Sequence, residues 1–129
     1  PLLGTTPEEK AEEANWNCRM EFEGLLAIAE ALRNSAPAMA NRALPGAVNY
    51  PQIPALAERG LARVDQFFDT LNARLAGRDF VATERFSVAD ITAVVAVDFA
   101  RIVKRKPGEQ HADLLRWRAA MAERPSMAL

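Results

Sequence analysis

Residues 86–103 read FSVADITAVVAVDFARIV, and this stretch decides the fold. Ser87 and Asp90 have the spacing of a capping box, in which each side chain bonds to the other residue's backbone N–H at the start of a helix. Phe86 and Ile91 have the spacing of the hydrophobic staple that accompanies such a start. The ten residues that follow the serine are apolar at eight positions. A helix with so little polar surface is expected in the middle of a bundle, with other helices packed around it.

The composition fits one domain with a sizeable core, because 50% of the 129 residues are hydrophobic and 26% are charged. A formal net charge of -1 gives no general attraction to nucleic acid or to an anionic membrane surface. The longest apolar run is far shorter than the roughly 18 residues of a membrane span. One cysteine and the lack of a signal-peptide pattern favour the cytoplasm. The start at Pro1 rather than at Met indicates a piece of a longer protein.

A first long helix is predicted over residues 7–33, because Thr6 can cap it and Pro7 suits its first position. Small or apolar residues recur there at three- and four-residue spacing and predict an inward seam. Three further apolar residues lie off that seam and are expected to face a partner or a ligand. The predicted seam is Ala11, Cys18, Phe22, Leu25, Ala29 and Leu32, and the residues off it are Trp16, Met20 and Ile28.

A second long helix is predicted from residue 54 to Gly77, and it should pack antiparallel against the first. Each of the two helices contains a glycine, Gly24 or Gly60, which costs about 1 kcal/mol relative to alanine. Two interpretations stay open: the glycines are tolerated at the surface, or they mark places where another backbone or a ligand comes close. The predicted seam of the second helix is Ala57, Leu61, Val64, Phe68, Leu71 and Leu75.

The remaining segments complete an all-α prediction, because no β-type alternation persists for more than a few residues. A helical turn is expected at residues 38–43, within the proline-rich connection between the long helices. A last helix is predicted over residues 112–124, and Pro125 should begin another. Its inward residues are predicted to be Leu114, Leu115, Trp117 and Met121.

Few residues indicate self-contained chemistry. One histidine and one cysteine, about 90 residues apart, do not supply a metal site. His111 is expected at the surface, and Cys18 is expected to be a buried, inert thiol. Asp98 needs a partner amid its apolar neighbours, for which Arg101 is nearest in sequence; alternatively, Asp98 lines a cleft. Alone, this chain is predicted to be catalytically inactive.

Several segments, in the right order, resemble the C-terminal domain of glutathione S-transferases. FVATERFSVADIT resembles the turn and capping box that start the central core helix of that domain. WNCRMEFEGLL resembles the first helix of bacterial members, IPALAERGLARVDQFFDTLNARLAGRDF the second, and RWRAAMAERPS the helix before the usual Arg-Pro-Ser turn. Thr83 departs from the pattern, because members commonly have glycine there. The implied fold is an all-α, glutathione S-transferase C-terminal-like bundle around a central buried helix.

The resemblance also implies how the functions of the full-length protein are divided between two domains. Residues 1–5 would be the remnant of a linker from a thioredoxin-like domain, which is absent, and residues 6–129 the helical domain. The absent domain would bind glutathione, the co-substrate, and supply the catalytic residue; no other cofactor is implied. The full-length enzyme would be a cytoplasmic homodimer that conjugates glutathione to a small hydrophobic electrophile in detoxification. An alternative is a noncatalytic protein-assembly module of the same fold, and a third is an unrelated helical bundle.

On the first helix, the resemblance implies that substrate or glutathione is contacted by Trp16, Arg19, Met20 and Glu23. Their spacing places Trp16, Met20 and Glu23 on one helical face, with Arg19 beside them. A dimer or interdomain contact is the other interpretation of that face. Weaker pocket candidates on the central helix are Asp98 and Phe99.

Overall fold

The computed structural model describes residues 1–127, which form helices and turns and contain no β-strand. The all-α fold class is therefore confirmed for this part of the chain. The first long helix contains a π-helical segment between two α-helices, and three short 3₁₀ turns lie elsewhere. The α-helices are α1 (Pro7–Arg19), α2 (Leu26–Arg33), α3 (Pro54–Arg74), α4 (Val88–Phe99) and α5 (Ala112–Ala122); the π segment is Met20–Leu25, and the 3₁₀ turns are Pro37–Met39, Ala100–Val103 and Pro125–Met127.

The predicted capping box starts α4. The Ser87 backbone N–H donates to Asp90 Oδ2 at 3.0 Å, and Ser87 Oγ accepts from the Ala89 N–H at 3.3 Å. Asp90 has a wider role than a cap, because its Oδ1 also accepts from the Val81 N–H at 3.0 Å and from Trp117 Nε1 at 3.1 Å. Burial raises the pKa of the Asp90 carboxyl, and these hydrogen bonds oppose that rise. One carboxylate thus joins α4, the turn before it and α5.

Helix α4 lies against α1 and the π segment, and six of its 12 residues are buried. One side is more open than its apolar sequence predicts, because Val95 is 50% exposed and Phe99 is 38% exposed. The staple between Phe86 and Ile91 stays a prediction.

The predicted inward seam of the first helix is wrong. Cys18 is exposed and Phe22 is 57% exposed, whereas Trp16, Met20 and Ile28 are buried in the core. Cys18 lies in α1, before the π segment, and the buried residues of α1 are Glu13 and Trp16. Beyond that point the π segment contributes, because its wider turn includes an i→i+5 bond from the Leu26 N–H to the Glu21 carbonyl. Residues spaced by four, which would drift around a regular α-helix, therefore stay on one face here.

Helices α2 and α3 pack antiparallel, as predicted, and are in close contact at Gly60. A Cβ at Gly60 would lie 2.6 Å from the Ala31 nitrogen and 2.9 Å from the Ala27 carbonyl oxygen. A Cβ at Gly24 would lie 2.9 Å from the Phe67 ring and 3.0 Å from the Ala96 Cβ. The interpretation as a point where another backbone comes close is thus confirmed for Gly60, whereas the close neighbours of Gly24 are side chains.

The second long helix follows its prediction more closely than the first. Five of its six seam residues are buried and Leu61 is partly buried, while Gly77 adopts the expected left-handed conformation with φ +68°. The helical turn expected at residues 38–43 is wrong in position, because the 3₁₀ turn occupies Pro37–Met39. Leu115 is 42% exposed, so its predicted inward position on α5 is also wrong. The turn that begins at Pro125 is confirmed as far as Met127.

Candidate functional site

A cleft of about 510 Å³ runs beside α1, between the N-terminal segment and the first turn of α4. Its volume lies in the range of small-molecule sites. The residues from α1 have the i, i+3, i+4, i+7 spacing of one helical stripe. Around the cleft lie Leu3, Lys10, Glu13, Ala14, Asn17 and Val88.

A second capping box fixes the start of α1 and hence this stripe. Thr6 Oγ1 accepts from the Glu9 N–H at 3.1 Å, while Glu9 Oε2 accepts from the Thr5 N–H at 2.8 Å and the Thr6 N–H at 3.3 Å. Hydrogen bonds from the Thr5 side chain and the two backbone N–H groups lower the pKa of Glu9 to about 2, assisted by the charge of Arg85. The cleft therefore has a firmly anchored helix as its wall.

The N-terminal segment is tied to the other wall. The Val88 N–H, at the first position of α4, donates to the Leu2 carbonyl at 3.0 Å. This bond gives one of the unpaired N–H groups at the helix start a partner.

Asn17 and Glu13 are the informative polar groups of the cleft. Asn17 uses both ends of its amide, because its Oδ1 accepts from Thr92 Oγ1 at 2.6 Å and its Nδ2 donates to Glu21 Oε1 at 2.9 Å. Glu13 is 1% exposed, and its Oε1 accepts from Thr83 Oγ1 at 3.4 Å. Neither residue is among the predicted site residues, although their helical spacing with Lys10 is a signal present in the sequence.

The predicted residues Trp16 and Met20 lie in the core. Trp16 is 8% exposed, and the guanidinium carbons of Arg19 and Arg74 each lie 4.3 Å from the centroid of its ring. Met20 is 0% exposed, so it has no surface with which to contact a ligand directly. The expectation that these two side chains face outward is therefore wrong.

Arg19 and Glu23 are partly exposed and bond to each other, with Arg19 Nε 2.8 Å from Glu23 Oε1. Glu23 also borders a separate, smaller cavity of about 130 Å³ with Arg63 and Phe67. In that region Arg63 donates to the Phe22 carbonyl of the π segment at 2.8 Å. A binding role for Arg19 and Glu23 stays a prediction.

The central-helix candidates lie apart from the cleft. Asp98 makes a bidentate ion pair with Arg118 of α5, at 2.9 and 2.7 Å, and this hydrogen bonding raises the pKa of Arg118. The predicted partner Arg101 is wrong, because Arg118 reaches Asp98 across the interface between two helices. Phe99 is 38% exposed, and neither it nor Asp98 is among the residues that line the cleft.

His111 is buried, so its predicted surface position is wrong. Its Nδ1 accepts from the Gly108 N–H at 3.0 Å, its Nε2 lies 2.8 Å from Asp69 Oδ1, and its ring contacts Phe68 edge-on. These contacts attach the start of α5 to α3.

Within residues 1–127, no three His, Cys, Asp or Glu side chains gather as a possible metal site. Over the same residues, no helix combines the length and hydropathy that crossing a bilayer requires.

Fold and cleft together define a class: an all-helical domain with a ligand-sized cleft beside its capped first helix. Residues 35–125 match the family described as glutathione S-transferase, C-terminal domain, and the chain belongs to that family. It is 33% identical over 132 aligned residues to glutathione S-transferase 2 of Saccharomyces cerevisiae, and the match covers 98% of this chain and 52% of the yeast protein.

Two solved structures show the same relationship. A glutathione S-transferase domain-containing protein of Marinobacter aquaeolei superposes with a TM-score of 0.84 at 31% identity. Gtt2 of Saccharomyces cerevisiae superposes with a TM-score of 0.86 at 29% identity. Each match covers 98% of this chain and 59% of the other. The chain thus spans little more than half the length of these relatives.

Proposed function

We propose that this chain is the substrate-binding and dimerisation domain of a glutathione transferase that conjugates glutathione to a small hydrophobic electrophile. The observation that carries the proposal is the cleft of about 510 Å³ along α1, in a domain that belongs to the transferase family. In the whole protein, residues 1–5 would link residues 6–129 to a thioredoxin-like domain that holds glutathione. The single cysteine of the chain fits a reducing cytoplasm.

In the proposed reaction, the glutathione thiolate forms a bond to the electrophilic carbon while the bond from that carbon to its leaving group breaks, and the leaving group departs with that electron pair. The residues of this chain orient the electrophile. The apolar side chains of Leu3, Ala14 and Val88 would hold its body, and the polar side chains of α1 would set its orientation. Arg19 and Glu23 are candidates for contact with glutathione from the far end of the same helix. This chain contributes positioning, and therefore no turnover is expected from it alone.

A homodimer of the whole protein is proposed because the first long helix exposes apolar side chains on its outer face. Phe22 is 57% exposed and Leu26 is 47% exposed, one turn apart on that helix. Substitution of both by serine is expected to shift the whole protein from dimer to monomer in sedimentation. A dimer that is unaffected by both changes would remove this face from the proposed interface.

The direct test compares the whole protein with this 129-residue chain by calorimetry with glutathione and by a thiol-conjugation assay. Binding and turnover by the whole protein, with neither in the chain alone, would support the proposal. A folded whole protein that does not bind glutathione would contradict it and favour the noncatalytic assembly module. For the serine substitutions of Phe22 and Leu26, the matched control is Leu115→Ser, because Leu115 is exposed on α5 and lies outside the cleft.

A further inference from the structure

The connection between the 3₁₀ turn at Pro37–Met39 and α3 is long and has no helix of its own. It covers residues 40–53, where a bridge between Arg42 and Tyr50 is the strand-type pairing. Loops longer than about 12 to 15 residues without secondary structure are uncommon in compact domains, and they are usually functional or disordered. The order of this loop therefore decides between the two.

Side chains at the end of α2 and within the loop hold its backbone in place. Arg33 donates to the Arg42 carbonyl at 2.6 Å, and Gln52 donates to the Arg33 carbonyl at 3.0 Å. Asn34 Oδ1 accepts from the Ile53 N–H at 3.1 Å. The loop is thus an ordered surface, and a pocket that it forms is ready before any ligand binds.

The loop forms an apolar pocket of about 290 Å³ against the end of α2 and the start of α3. It shares no residue with the cleft beside α1. An apolar cavity of about 150 Å³ holds a benzene ring, so this pocket has room for two fused rings. A cluster of large apolar side chains that stay about half exposed indicates an interaction site, and those around this pocket are Leu44, Tyr50 and Ile53.

A basic pocket of about 200 Å³ adjoins the apolar pocket, and Leu44 lies in the walls of both. Arg33 and Arg42 line the basic pocket, and they are the only charged residues of the sequence from 31 to 57. Neither arginine makes an ion pair within the described residues, and Glu30 is already paired with two arginines of α3. The uncompensated positive charge of this pocket favours an anion.

We propose that this loop and the end of α2 form a second ligand site, which binds small carboxylates with an apolar aromatic or alkyl body. The body lies in the apolar pocket, and the carboxylate accepts hydrogen bonds from Arg33 and Arg42. Arg33 binds the loop through Nε and one Nη, so its other Nη is the atom offered to the carboxylate. The site is separate from the cleft and does not depend on the proposed function.

The test titrates this chain, isotopically labelled for NMR, with two probes of nearly the same shape: naphthylacetate, which is an anion, and naphthylacetamide, which is neutral. We expect saturable shifts at the Ala43, Leu44 and Leu56 amides. The anion should bind about tenfold more tightly at low salt, because hydrogen bonds between charged groups are stronger than neutral ones, and sodium chloride should reduce this preference.

Three outcomes would overturn the proposal. The first is equal affinity for the two probes, and the second is a set of shifts confined to other parts of the chain. The third is a shift of the same amides when the chain alone is concentrated, because this would assign the apolar surface to a second copy of the chain.

Three variants separate the two parts of the site. Arg42→Gln removes an exposed charge and should weaken the binding of naphthylacetate about threefold, with that of naphthylacetamide unchanged. Arg101→Gln is the matched control, because Arg101 is also exposed and without an ion pair among the described residues, and it should leave both affinities unchanged. Leu44→Ser should weaken both probes to the same extent. An Arg42→Gln chain that binds both probes like the parent, or a control that loses as much as Arg42→Gln, would contradict recognition of the carboxylate at this site.

Discussion

Replacement of Gly60 by alanine is expected to destabilise the domain, although alanine is the better helix former. The new Cβ would lie 2.6 Å from the Ala31 nitrogen, 2.9 Å from the Ala27 carbonyl oxygen and 3.0 Å from the Ala31 Cα. All three atoms belong to the backbone of α2, so no side-chain rotation relieves the contact. The two helices must move apart.

The magnitude follows from two opposing terms. Overpacking of a tight core lowers the free energy of unfolding by about 3 kcal/mol at its upper range, and the better helix propensity of alanine offsets about 1 kcal/mol of this loss. The expected net loss in the free energy of unfolding is therefore about 2 kcal/mol. Because the nearest atoms at Gly24 include the edge of the Phe67 ring, which can shift, Gly24→Ala should cost less than Gly60→Ala.

Urea unfolding followed by far-UV circular dichroism measures the loss, with an unchanged m value as the check on two-state behaviour. Ala62→Gly, at an exposed position of α3, is the control for propensity alone and should cost about 1 kcal/mol. A Gly60→Ala chain as stable as the parent, or more stable, would refute the reasoning from close approach.

Three further predictions concern charged and capping groups. Asp90→Ala should cost about 3 kcal/mol or more in urea unfolding, because it leaves three buried donors unpaired, whereas Ser87→Ala should cost about 1 kcal/mol; equal losses would contradict this assignment. A double-mutant cycle of Asp98→Ala and Arg118→Ala should give a coupling of about 0.5 kcal/mol, the modest value of a partly exposed pair, and zero coupling would count against the pair. The pKa of Glu9 is lowered from 4.5 to about 2, so its ionised carboxylate stabilises the fold above pH 4.5, and this stability is lost as the pH falls through about 2. Glu9→Gln should therefore flatten the acid-induced decline in melting temperature. An identical decline in the variant would contradict the role of this cap.

Local signals in the sequence were sufficient to predict the start of α4, the stop after α3 and the inward face of α3. The capping box at Ser87 and Asp90 depends on side chains three residues apart, and the left-handed stop at Gly77 depends on one residue, so both could be predicted without knowledge of the tertiary fold. The seam of α3 could be predicted for a similar reason, because α3 is a regular helix over its whole length.

Contacts between distant residues were not encoded in any local pattern. The partner of Asp98 lies 20 residues away on α5, and His111 is buried by its contact with α3. Beyond Met20, the inward face of the first helix departs from its prediction because a period of 3.6 residues does not hold through a π turn. Before that point, the buried face of α1 includes Glu13, which a pattern of apolar residues does not select. Glu13 was overlooked as a site residue because a glutamate at a helix position is ordinarily interpreted as solvent-exposed.

The π segment also bears on how this protein can change in length. In a regular α-helix, removal of one residue turns everything beyond it by about 100°, which would rotate the residues of α2 that contact α3 out of the interface. A π turn holds one residue more than an α turn, so a deletion within Met20–Leu25 can be absorbed by conversion of that turn to α. The first helix therefore contains one place where evolution or design can remove a residue and keep the face that packs against α3.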